Sequence, residues 1–170
     1  MLSIFDILYP QGPAYPSAGT YWPPTAQAYG EMRYRCPGLY IAASYARYGV
    51  PGWHYHYNVT TPTSISSGSG VTHTIETNAI FGPRYVSGAP SNYLPNSSFV
   101  LAMQGYWTSF MRTKNPNNYR DPNSVEWEQT QAYYPQSVVI NNDATLMEVP
   151  PLDLQARCAF LGAIGVLIQQ

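Results

Sequence analysis

"WHYHYNVTTPTSISSGSGVTHTIETNAIFGP" runs from Trp53 to Pro83. It opens in strict alternation, with Trp53, Tyr55, Tyr57 and Val59 on one face and His54, His56 and Asn58 on the other, which predicts a β-strand. The Ser/Thr/Gly-rich run that follows, to Gly70, predicts a loop. That loop delivers His73, so the histidine stands beyond the C-terminal end of a strand, where open α/β sheets gather their chemistry. Glu76 follows three positions later, in a chain with only 10% charged residues. Spacing alone favours an ordinary hydrogen-bonded loop histidine, because no Gly-x-Ser-x-Gly nucleophile elbow accompanies it. By the same measure Glu76 reads as a cap on a short helix after Thr74.

Working outward, "CPGLYIAASYARYG" predicts a helix from about Pro37, with proline in the first turn and Gly49 and Pro51 as the stop. Residues 97–112, "SSFVLAMQGYWTSFMR", predict a second, capped by Asn96 or Ser97, with Phe99, Met103, Tyr106 and Phe110 on one face. "SVVI" and "TLMEV" are short strands joined tightly through "NNDA". "PPLDLQARCAFLGAIGVLIQQ" closes the chain with a helix whose stripe is Leu154, Cys158, Leu161 and Ile168. So few strands among long connections suggest part of a parallel α/β sheet rather than a whole one.

The chain has 170 residues, a length that predicts one domain. Its 8 basic and 9 acidic residues carry no charge run, which excludes the electrostatic footprint of a nucleic-acid partner. "CAFLGAIGVLI" is too short for a bilayer span, which needs roughly twenty apolar residues. "MLSIFDILYPQG" lacks a basic region and Asp6 interrupts its apolar run, so it does not read as a secretory signal. Cys36 and Cys158 lie far apart without metal-ligand spacing, and sequons stand at Asn58 and Asn96. His54 and His56 have no third ligand nearby, so they read as a polar strand face rather than a metal site. The 16 Tyr and 4 Trp leave a carbohydrate-binding surface open, with Trp22, Trp53, Trp107 and Trp127 as candidates. Of these, Trp53 and Trp107 sit at core spacing and are discounted first.

Five collinear segments resemble type-B carboxylesterases and lipases, an α/β-hydrolase family that includes cholinesterases and fungal lipases. They are "YGEMRYRCPGLYIA", "WHYHYNV", Gly70-Val71-x-His73-x-x-Glu76 with Phe81-Gly82, "YWTSFMRTKNPN" and "RCAFL". The resemblance covers about Phe5 to Ile168 and corresponds to the last third of such enzymes. It implies the C-terminal part of one α/β-hydrolase domain over residues 1–170, from a secreted parent that acts on small-molecule or lipid esters without cofactor or metal. It also implies that His73 is the base of a Ser-His-Glu/Asp triad, that Glu76 supports the histidine loop, and that Cys36 pairs with Cys158. The nucleophile, the acid and the oxyanion hole would lie upstream of Met1, so this chain alone should be inactive. The chain departs from the family at Thr74 and Lys114, where glycine is usual, and at "CAFL", which lacks a terminal Trp. A non-catalytic adhesion protein of the same fold is the alternative, followed by the carbohydrate-binding module.

Overall fold

The helix predicted from about Pro37 is present with that proline in its first turn, but it continues from an earlier helix rather than from a loop. The computed structural model describes residues 2–15, 18–133, 135–165 and 167. In it α2 (Trp22–Gly30) leads through a wide π-turn, Glu31–Arg35, directly into α3 (Cys36–Arg47). A proline within a helix has no N–H to donate, and its ring crowds the carbonyl four residues back. The π-turn opens the ladder at that point: the Cys36 N–H bonds to the carbonyl of Glu31, five residues back. The sequence pattern places α3 and its proline but shows neither α2 nor the π-turn that joins the two.

The chain forms two compact units. The first comprises Met1–Gly52, Thr130–Pro135 and Val149–Gln170. It holds α1 (Leu2–Leu8), α2, α3 and a last helix, α7 (Leu152–Ile164). Leu39, Leu154 and Leu161 are its buried apolar centre, around a disulfide between Cys36 and Cys158 whose Cα atoms are 5.3 Å apart. Leu154, Cys158 and Leu161 form the predicted stripe, and Ile168 lies outside the described residues. A cross-link that closes so long a loop stabilises a fold by about 2–5 kcal/mol.

The second unit comprises Trp53–Gln129 and Gln136–Glu148. Its sheet is three-stranded, in the order β1 (His54–Tyr57), β2 (Ser137–Ile140), β3 (Thr145–Glu148). β1 pairs parallel with β2, and β2 pairs antiparallel with β3. The alternation in "WHYHYNV" is realised: Tyr57 and Val59 are buried, and Trp53 and Tyr55 pack half-buried against the same core. The predicted loop after β1 is not all loop. Within it lies α4 (Pro62–Ser67), capped reciprocally by Thr61 and Ser64. α5 (Thr77–Phe81) and α6 (Ser98–Thr113) follow.

Phe99, Met103 and Tyr106 of α6 are buried as predicted, but Phe110 is exposed. Ser97 takes the N-cap position without a side-chain cap bond, because its hydroxyl donates instead to the Asn92 carbonyl at 3.1 Å. Gly105 sits mid-helix for a packing reason. A Cβ there would stand 2.7 Å from the backbone nitrogen of Asp121, in the loop after α6. That loop cannot yield easily, since both ends of the Asn117 carboxamide bond the backbone of Trp127, at 2.8 and 2.9 Å. Gly105→Ala is therefore expected to destabilise the full-length protein by about 1–3 kcal/mol despite alanine's better helix propensity, as read from the denaturation midpoint.

Candidate active site

His73 is exposed, on a turn between α4 and α5. Three left-handed positions wind the chain there: Gly68 at φ 71°, Gly70 at 62° and Thr74 at 66°. The segment just beyond the histidine is anchored. Ala79 is fully buried, and Ile75 and Ile80 pack against the core that contains Val100, Met103 and Tyr106. The Asn78 carboxamide also donates to the Ile75 carbonyl at 3.1 Å. The result is an imidazole held at the solvent edge on a rigid support.

Glu76 is half-buried at the N-terminus of α5, but its carboxylate makes no cap bond. The N–H groups of Ala79 and Ile80 bond its backbone carbonyl instead. This corrects the capping reading, for a physical reason: the carboxylate bears on the tyrosines of β1. Burial, then the charge of Glu76, raises the pKa of Tyr55. Burial and the hydrogen bond to Tyr93, 2.9 Å from hydroxyl to hydroxyl, raise that of Tyr57, and burial raises that of Tyr93. These hydroxyls keep their protons in the folded state beyond pH 10, where unfolded tyrosines ionise. The stability they confer is thus complete below about pH 10 and is lost as the pH rises further. Thermal melts across that range should show a shallower alkaline loss for Tyr57→Phe.

Where β1 ends, Asn142 holds it. Its side-chain oxygen accepts the Thr60 N–H at 3.0 Å, and its amide donates to the Thr60 carbonyl at 2.9 Å. Ser98 of α6 donates to the Asn142 carbonyl at 3.0 Å. The β2–β3 turn thereby sets the direction in which the chain leaves β1 toward His73. From sequence, Asn142 was only part of a tight turn; the paired asparagines were the signal that could have shown it.

Nearby serines do not form a nucleophile elbow. Ser66 donates to the Thr63 carbonyl at 3.0 Å, and the hydroxyls of Ser67 and Ser69 lie 3.0 Å apart. His54 Nδ1 lies 2.7 Å from the Ser137 hydroxyl, and His56 Nδ1 is 3.5 Å from a Glu148 oxygen. Among the described residues no three of His, Cys, Asp and Glu are grouped to hold a metal ion. Trp127 is buried and Trp53 and Trp107 pack on the core, while Trp22 is partly exposed, so three of the four tryptophans serve packing rather than a sugar platform. Asn58 donates its side-chain amide to Asn141 at 2.9 Å, whereas Asn96 is exposed on the turn before α6.

The sequence model of the carboxylesterase family matches residues 12–160. The chain belongs to the carboxylesterase family. Secreted lipase 4 of Gibberella zeae is 30% identical over 133 residues, covering 74% of this carboxylesterase chain and 22% of its own length. A crystal structure of Aspergillus niger EstA superposes with a TM-score of 0.85 at 32% identity. That match covers 97% of this chain and 32% of EstA. The chain thus spans about a fifth of the curated relative and a third of the solved one, and its fold is part of an α/β-hydrolase fold. The disulfide between Cys36 and Cys158, implied by the family resemblance, is formed.

Proposed function

We propose that residues 1–170 form the C-terminal part of one carboxylesterase domain, in which His73 is the general base of a Ser-His-Glu/Asp triad that hydrolyses carboxylic esters. The observation that carries this reading is the placement of His73: an exposed imidazole, beyond the C-terminal end of a parallel strand, on a core-anchored turn of a carboxylesterase chain. Imidazole titrates near neutral pH, so it can take the serine proton as the hydroxyl attacks the ester carbonyl and return it to the leaving alkoxide. Glu76 stiffens the turn from the side of the β1 tyrosines. The serine, the acid that orients the imidazole and the oxyanion hole come from the rest of the protein. The substrate is a small-molecule or lipid ester.

The full-length protein is expected to hydrolyse p-nitrophenyl esters and to be inhibited by an alkyl fluorophosphonate that labels the serine, whereas the 170-residue chain should do neither. Hydrolysis by the isolated chain would refute this reading. The secreted status of the Gibberella zeae lipase supports an extracellular location. On that route Asn96 is the better N-glycan acceptor, because Asn58 would have to give up its bond to Asn141. Glycosidase-sensitive mass on the Asn96 peptide, and none on the Asn58 peptide, is the expected pattern.

A further inference from the structure

We infer that Thr74 is a positioning residue for His73, its hydroxyl fixing the peptide from which the imidazole departs. The inference rests on His73 being the base proposed above.

Among the described residues, Thr74 and Lys114 alone adopt a positive φ without being glycine, at 66° and 60°. Lys114 has a local reason: it ends α6 in the left-handed cap, with its N–H on the Phe110 carbonyl at 2.7 Å. Thr74 ends no helix. A β-branched side chain is also the least suited to that region, since its second Cβ substituent crowds the backbone. The strain is offset at one place. The Thr74 hydroxyl donates to the His73 carbonyl at 2.6 Å. The carbonyl of Thr74 is in turn held by the N–H and hydroxyl of Thr77, at 3.1 and 2.7 Å.

The peptide on the C-terminal side of His73 is therefore held at its carbonyl by the Thr74 hydroxyl, and the peptide after it is held at its own carbonyl by Thr77. Glycine would make this turn without strain, but it would lose the one side-chain bond that fixes the His73 carbonyl. A strained residue beside a reacting group, fastened by one bond to that group's own backbone, is the pattern in which strain serves preorganisation.

The test uses the full-length protein, with kcat and KM for p-nitrophenyl butyrate and thermal melts. Thr74→Gly and Thr74→Ala should each lower kcat about 10-fold or more while KM changes by less than about 2-fold. Thr74→Gly should nevertheless melt higher than the parent. Thr74→Ser, which keeps the hydroxyl, should retain kcat within about 3-fold. Lys114→Gly, which relieves the same strain at the end of α6, should melt higher with kcat unchanged. A parental kcat in Thr74→Ala, or a Thr74→Ser as slow as Thr74→Ala, overturns the inference. So does a Thr74→Gly that loses stability and kcat together. His73→Ala separates the two readings: if it is inactive while Thr74→Ala is fully active, only the positioning role fails, whereas an active His73→Ala removes the proposed base itself.

Discussion

Replacing His73 with alanine in the full-length protein is expected to lower kcat for ester hydrolysis by about 10⁴- to 10⁶-fold, with little change in KM. The size follows from the role. Without a base the serine hydroxyl must attack as a neutral alcohol, and the leaving alkoxide departs without a proton. Binding contacts made elsewhere persist, so KM moves little. The substitution should also leave the melting temperature unchanged. The His73 side chain is exposed, and the turn is anchored by Ile75, Ala79 and Asn78. A large kcat loss at constant stability thus distinguishes a base from a loop histidine that merely supports the fold, and His73→Gln, isosteric but non-basic, should be as slow as alanine.

The second large effect concerns stability. The Arg157 guanidinium donates to both oxygens of Glu31 at 2.8 and 3.0 Å, and to Asp153 at 2.7 Å. The Glu31 carboxylate, 3% exposed as a residue, also accepts from Tyr9 at 2.8 Å and Gln27 at 2.9 Å. Arg157→Ala leaves that buried carboxylate with two neutral donors and no counter-charge, and should cost about 3–5 kcal/mol, seen as a lower denaturation midpoint. Arg157→Lys should recover only part, because an ammonium cannot make the forked contact. Asp153→Ala should cost far less, since its side chain is 67% exposed. Its hydrogen bond from Arg157 holds the Asp153 carboxyl below the usual carboxylate range. Whatever it adds is present above that range and is lost only on acidification through the lowered value.

Local patterns were legible where one period or one turn decides the outcome. The faces of β1, the β2–β3 hairpin and the buried row Phe99, Met103 and Tyr106 all follow from spacing. Long-range matters were not. Pro37 looks like a helix start unless one knows that the preceding turn can widen to accept it. Phe110 looks like core because the stripe runs one turn beyond the point where α6 is covered. α4 hid behind Ser, Thr and Gly because its cap uses serine where glutamate is the common signal. Spacing alone does not propose His73 as a base; five ordered segments of family resemblance carry that proposal. They also marked Thr74 and Lys114 as departures from glycine, and the backbone shows why those two positions prefer it: both are left-handed.

The disulfide has a consequence that its contribution to folding energy does not express. Cys36 and Cys158 are 122 residues apart, and every residue of the second unit lies between them in the chain. That unit is a bight of chain tied shut at its neck by a covalent knot in the first. A protease that nicks the turn around Tyr85, which is 85% exposed, opens the bight without releasing either piece. Such a molecule would run as an intact band until a reductant unties it, so a cut in this part of the chain goes unseen on a non-reducing gel.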